Sequence, residues 1–405
     1  MRNHRTTAGV AVTTVLVVLA SGLVLTSSRN VASAGGMPST LPSLSIDAGA
    51  SVPVLAYYET AYTAQTWAQD RLDAPALGLY PSTNREVIGQ HVKMARAAGV
   101  TGFIVHWRST ERRNQVLDAL VEEARAQGFK LAIEYEALDI RQKPLPIGTV
   151  AADLDSFAER WAGDPVFRVF GQPLVIIEGS SEFSMQDLSV LSARHRAAHE
   201  RDLKDPGQFR ELLLLASERD AEGYRRVQNV VDGNAPYWAS ADPGKKAEHA
   251  QRLAAMRDAV GDGILIAPVA PGFDASLLGG TRTTERLDGR TLEDSLHAAA
   301  AASPQALGLI SWNGYHDNTE IEPSVRFGTR SLEVLASFTG GRAPESVTPP
   351  SGVEAPSVST PGGSRDLGPV IRPLLGLATM FVVLLTVVGA LIYGYAVRRP
   401  VTRLY

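Results

Sequence analysis

Between Ser51 and Phe338, short and nearly continuous apolar runs alternate with stretches whose apolar residues recur every three to four positions. The runs are Val54–Glu59, Gly102–Trp107, Lys130–Glu136, Pro173–Glu178, Glu211–Ser217, Val230–Trp238, Gly263–Pro271 and Ala306–Asn313. Runs of this kind fit strands of a parallel sheet covered by helices on its faces. The stretches Arg85–Ala98, Gln115–Gln127, Leu154–Trp161, Met185–Arg201, Lys245–Val260 and Leu292–Ala302 predict amphipathic helices, and Gly128, Gly163 and Gly261 fall where C-caps belong. Two connections resist this reading: the one after Ser217 is short and the one after Pro271 is long.

Eight β/α alternations over about 290 residues predict an α/β fold, a (β/α)8 TIM barrel, whose usual size is ~250 residues. The competing arrangement is an open doubly wound sheet. No glycine fingerprint follows the first strand, however, and Gly261-Asp262-Gly263 precedes a strand rather than a helix.

The two ends of the chain read differently. Residues 1–34 predict an export signal: Arg2, His4 and Arg5 precede an apolar run from Ala8 to Thr26, and Ala32-Ser33-Ala34 offers a small-residue cleavage pattern. An uncleaved anchor is the alternative. Leu374 to Val397 contains no charge and, at ~1.5 Å rise per residue, is long enough for a ~30 Å hydrocarbon core. Arg398, Arg399 and Arg403 follow, which predicts a cytoplasmic tail over 398–405. Residues 339–371 are rich in Pro, Ser and Gly and predict a linker. The expected topology is a globular domain over 51–338, outside the cell and tethered by a C-terminal membrane helix.

Composition narrows the chemistry. The 405 residues carry 39 Lys+Arg against 43 Asp+Glu, a net charge of −4, which provides no basic footprint for nucleic acid. Cysteine is absent, so disulfides, thiol nucleophiles and iron–sulfur clusters are excluded together. No ligand loop for a metal is recognisable, and no metal or cofactor is expected. His195 and His199 are spaced i,i+4, but Arg194, Arg196 and Arg201 crowd them, so a solvated helix face is expected. Arg112-Arg113 and Arg225-Arg226 read as polar surface, and His91 as helix surface or core. Ser180 and Ser181 lack a nucleophile elbow.

In a parallel barrel, chemistry gathers where the strands end. The first strand ends in Tyr57, Tyr58 and Glu59, and the second in His106 and Trp107. The third ends Glu134-Tyr135-Glu136, and period-two alternation places both carboxylates on one face. Glu178 closes the fourth, Tyr237 and Trp238 the sixth, and Asp274 follows the seventh. The eighth leads into Trp312-Asn313-Gly314-Tyr315-His316-Asp317-Asn318-Thr319-Glu320-Ile321-Glu322-Pro323. Carboxylates act as acid, base or nucleophile on glycosidic bonds, and aromatic faces pack on sugar rings. That combination predicts a glycan or polysaccharide as partner.

These segments resemble glycoside hydrolase family 99 and the related family 71, which include endo-α-mannosidases. Leu77-Gly78-Leu79-Tyr80-Pro81-Ser82, Val87-Ile88-Gly89-Gln90-His91 and Ala98 through Trp107 are similar to the family's first loop, first helix and second strand. Val231-Asp232-Gly233 through Trp238, Pro268 through Asp274, Ile310-Ser311-Trp312-Asn313 and Ile321-Glu322-Pro323 are similar to its sixth, seventh and eighth strands. The family's eighth-strand motif has two early glutamates as its catalytic pair, where this chain has Gly314 and Asp317. The resemblance implies Asp317 as general acid/base, with Glu136 or Glu178 supplying the missing carboxylate. It also implies that Gly314→Glu raises activity if the site otherwise keeps the family's geometry. Tyr58, Glu59, His106, Trp107, Glu134, Tyr237, Trp238, Asp274, Trp312, Asn313, His316, Glu320 and Glu322 are the expected substrate contacts. Three readings follow: a working α-glycan hydrolase, an inactive glycan-binding barrel using Trp107, Trp238 and Trp312, or a structural part of an envelope polysaccharide assembly. The oligomeric state stays open.

Overall fold

The structure, a computed structural model, describes residues 52–202, 211–237 and 245–356. The expected signal segment, Trp238, the apolar run Leu374–Val397 and the tail lie outside these residues.

All eight expected strands form, and they form in place. They are β1 (Val54–Tyr58), β2 (Gly102–Trp107), β3 (Lys130–Tyr135), β4 (Leu174–Ile177), β5 (Leu213–Ala216), β6 (Gly233–Asn234), β7 (Ile264–Val269) and β10 (Ala306–Leu309). They close in chain order into a parallel barrel, sealed where Ala56 of β1 faces Leu309 of β10. The long connection after β7 holds a small antiparallel ribbon, β8 (Phe273–Asp274) with β9 (Thr283–Thr284).

Around the barrel run α2 (Arg85–Ala97), α3 (Glu111–Gln127), α4 (Ile147–Arg160), α5 (Met185–Asp202), α7 (Lys246–Val260) and α8 (Arg290–Ala301), at the positions the periodicity marks. Shorter pieces, α1 (Ala64–Trp67), α6 (Ala221–Val227) and α9 (Arg330–Thr339), complete the set. Asn84 and Thr110 cap α2 and α3 by accepting from Val87 N–H and Arg113 N–H. Gly128 ends α3 and Gly261 ends α7, whereas α4 ends at Trp161, two residues before Gly163.

Period-two alternation divides the strands between two cores. Leu55, Tyr57, Ile104, Ala132, Leu174, Ile176, Leu215, Ile264, Ile266 and Ile310 fill the barrel. Ala56, Tyr58, Phe103, Val105, Trp107, Ile133, Tyr135, Val175, Leu265 and Leu309 face the helices. At Gly233 the strands crowd so closely that a Cβ would stand 2.0 Å from the Ile264 carbonyl oxygen.

Beyond α9 the chain does not leave at once. Residues 340–356, part of the expected linker, lie along the barrel as a strap. Arg342 N–H donates to the Ala97 carbonyl at the C-terminus of α2 (2.7 Å), and Leu79 N–H donates to the Glu354 carbonyl (2.8 Å). Ala343, Val347 and Val353 pack on the helix-side core between these points.

Candidate active site

The strand phase that carries Leu55, Ile104, Ala132 and Ile176 into the barrel also carries Glu59, His106, Glu134, Glu136 and Glu178 inward at the strand ends. Backbone bonds extend the ladder to them: Glu136 N–H reaches the Trp107 carbonyl (3.0 Å) and Glu178 N–H reaches that of Tyr135 (3.1 Å).

His106 links two of the acids. Its Nδ1 donates to Glu59 Oε2 (3.1 Å), and its Nε2 lies 3.3 Å from Glu134 Oε2. Burial alone would favour a neutral imidazole, but the charges of Glu59 and Glu134 override it and raise the His106 pKa well above the usual range. Burial likewise pushes Glu59 up, yet His106, His316 and Arg113 hold it down at about 2. Glu134 goes the other way: burial, helped by the charges of Glu178, Glu59 and Glu136, raises it to about 8 against His106. Burial also raises Glu178. Glu136 is ion-paired with Arg113 from the first turn of α3, and Arg108 stands 3.9 Å off. Arg113 is therefore a site residue, not polar surface.

Asp317 reaches the bowl from the connection after β10, which folds into a tight loop. Thr319 N–H donates to the Gly314 carbonyl (3.0 Å), Ser311 N–H to that of Thr319 (2.9 Å), and the Thr319 hydroxyl to Asp317 Oδ1 (2.7 Å). Burial raises the Asp317 pKa, opposed by His316 and Thr319 and reinforced by Glu59. His316 Nε2 sits 3.9 Å from Asp317 Oδ2 and is half exposed. Tyr237 stands edge-on to Tyr57 at 5.0 Å and feels Asp317, Glu59 and Glu134 together, so those groups share one mouth.

Other expected contacts sit in the wall. Tyr58 turns outward and its hydroxyl bonds His91 Nδ1 (3.0 Å). Trp107 is fully buried against Phe157 and Trp161, with its indole N–H on Asn114 Oδ1 (3.0 Å). Trp312 is fully buried against His91 and Phe103. Strand phase explains the two strand residues: each lies one position from an inward neighbour. Glu322 is buried between the Tyr80 hydroxyl and His91 Nε2, both at 2.6 Å, and His91 is core. Glu320 is buried on Arg286 (2.6 Å), and burial raises its pKa to about 8 even against that charge. Asp274 caps a turn by accepting from Ser276 N–H (2.8 Å), and it lines a cavity of about 420 Å³ with Phe273, Arg286, Asn318 and Phe327. His195 is buried, contrary to a solvated helix face.

Asn313 has a structural task. Its Oδ1 accepts from Glu59 N–H (2.8 Å) and its Nδ2 donates to the Glu59 carbonyl (3.1 Å). Gly314 cannot be replaced freely, because a Cβ there would lie 2.3 Å from Ser311 Oγ and 2.4 Å from Thr319 Oγ1. A glutamate at this position therefore has to displace both hydroxyls before it can act as the acid the resemblance implies. The sequence reading missed Tyr57, Arg108 and Arg113 as site residues; counting the inward phase back from Glu59 marks Tyr57.

A parallel (β/α)8 barrel with acids gathered at the C-terminal ends of its strands is the architecture of the glycoside hydrolase barrels. Glycosyl hydrolase family 99 matches residues 60–337, and the chain belongs to that family. It is 22% identical over 264 residues to the glycoprotein endo-alpha-1,2-mannosidase-like protein of Mus musculus, and 22% identical over 269 residues to the glycoprotein endo-alpha-1,2-mannosidase of Rattus norvegicus. Each alignment covers 62% of this chain, and they cover 58% and 56% of those relatives, so the chain spans less than two thirds of their length. The GH99 endo-alpha-mannosidase of Bacteroides thetaiotaomicron shares the fold, with a TM-score of 0.60 at 20% identity over 72% of this chain and 96% of that one.

Proposed function

We propose that this protein is a glycoside hydrolase that cleaves α-mannosidic bonds within a polysaccharide, with Asp317 as general acid/base. It works outside the cytoplasm, held to the membrane by the apolar run Leu374–Val397. The observation that carries the reading is a buried carboxyl, Asp317 bonded to Thr319, on a loop fastened through Asn313 to Glu59, whose carboxylate is bonded to His106; burial raises the first pKa and His106 lowers the second. A proton-bearing Asp317 protonates the departing glycosidic oxygen, and the resulting carboxylate then takes a proton from the incoming hydroxyl. The α-mannosidic preference and internal cleavage rest on the named activities of the relatives. A barrel that merely binds glycan through Trp107, Trp238 and Trp312 is less well supported, since Trp107 and Trp312 are enclosed in the core.

The test is to incubate the full chain in detergent with α-mannan and analyse the released sugars. Release is expected, and Asp317→Asn is expected to slow it by about 10²–10⁴-fold while leaving oligosaccharide binding intact. No release from α-mannans of any linkage sinks the reading, and unchanged turnover in Asp317→Asn removes that residue from the mechanism.

A further inference from the structure

Cleaving a glycosidic bond takes a proton donor together with an ionised carboxylate that meets the positive charge building at the anomeric carbon. Beside Asp317 the bowl holds four acids, and their surroundings sort them. Glu136 is turned to two arginines, ion-paired with Arg113 and 3.9 Å from Arg108, and among the described residues no side chain of the Asp317 loop is bonded to it. Glu134 is buried beside His106, its register partner on the next strand, and burial raises its pKa to about 8. Burial also biases Glu178 towards its neutral form. Glu59 is different: it is bonded to His106, and His106, His316 and Arg113 together favour its charged form.

Position selects the same residue. The Asn313 amide grips both backbone polar groups of Glu59, so the end of β1 is fastened to the loop that carries Asp317. The Tyr62 hydroxyl, which donates to the Asn313 carbonyl (2.5 Å) and accepts from Tyr315 N–H (3.1 Å), braces that junction. The geometry points to Glu59 as the anionic catalytic carboxylate that partners Asp317, with His106 and Asn313 as positioning residues. This deepens the glycosidase reading and rests on it. As the bond from the anomeric carbon to the leaving oxygen breaks, its electron pair goes to that oxygen and the Asp317 proton follows. Glu59 stabilises the cationic sugar. A hydroxyl oxygen then bonds to the anomeric carbon and passes its proton to Asp317, restoring the starting state.

The full chain in detergent is assayed on α-mannan and on 2,4-dinitrophenyl α-mannobioside, whose leaving group needs no proton. Asp317→Asn is expected to lose activity on mannan and to lose markedly less in kcat/KM on the aryl substrate, for which only the proton donor is dispensable. Glu59→Gln is expected to lose about 10³-fold in kcat/KM on both while oligosaccharide affinity stays within about fivefold. Azide is expected to raise the turnover of Glu59→Ala at least about tenfold by replacing the lost anion. Glu59→Asp preserves the charge and guards against misfolding; there kcat is expected to fall at least about tenfold at unchanged KM. Wild-type kcat in Glu59→Asp, or Glu59→Gln within tenfold of wild type on both substrates, overturns the assignment of Glu59 alone. A wild-type chain inactive on both substrates overturns the glycosidase reading, and this inference with it.

Discussion

His106 sets the electrostatics of the bowl, because one imidazole serves both Glu59 and Glu134. It interacts with Glu59 at the end of β1, Glu134 and Glu136 on β3 and its extension, and Glu178 after β4, while Arg113 and His316 act on Glu59, and Glu59 and His316 on Asp317. Glu59 has a folded pKa of about 2, below its unfolded value near 4.3, so its contribution to stability is present above the unfolded value and lost as pH falls towards 2. The raised pKa of His106 works in the opposite sense: its contribution is full below about 6.5 and lost as pH rises through the folded value. Activity follows the same groups. Wild-type kcat/KM on mannan is expected to fall on the alkaline side as Asp317 loses its proton, with no acid-side loss from Glu59 above about pH 4. In His106→Gln the acid limb is expected to move upward by at least one pH unit, since Glu59 loses its main counter-charge. A pH–rate profile measures both limbs, and an unmoved acid limb in His106→Gln argues against the clamp.

Among elements, the eight barrel strands and six of the helices were legible because each side of the sheet is apolar and each helix carries a stripe. The alternation also placed Glu134 and Glu136 inward together, and the same counting, carried through from Leu55, assigns Tyr57 to the bowl and Tyr58 to the wall. What stayed illegible belongs to connections. The loop after β10 is held by hydrogen bonds between its own backbone and short hydroxyl side chains, and neither leaves a periodic trace. Trp312 and Glu322 therefore read as contacts for a sugar when they are packed against His91. Arg113 was read as half of a surface pair, because nothing local reports that the start of α3 leans over Glu136. Gly314 offers a direct check on the loop. Gly314→Ala is expected to cost about 1–3 kcal/mol, read as a lowered thermal midpoint, and Gly314→Glu to bring no gain in turnover. A more active Gly314→Glu shows that the loop opens where the structure has it closed.

At the scale of the whole molecule, the strap decides where the domain ends. A Pro-, Ser- and Gly-rich composition announces a linker, yet residues 340–356 are fixed by Ala97 at one end of α2 and Leu79 in the connection that precedes it. Ending the chain at Phe338 is expected to cost about 2–4 kcal/mol relative to ending it at Pro356, from the lost burial of Ala343, Val347 and Val353. That corresponds to roughly 5 °C in thermal midpoint, measurable by calorimetry on the two fragments. Equal midpoints for the two fragments assign the strap no role in stability. The strap's course also fixes a direction. Ala97 is at the floor of the barrel, whereas Leu79 belongs with Tyr80 and Ala76, which bond Glu322 and Pro323 just past the Asp317 loop. The polypeptide is thus carried from floor to rim before residue 357 begins. Pro356, two positions past the Glu354 carbonyl that Leu79 holds, therefore stands on the side of the open mouth and not on the side where α2 ends.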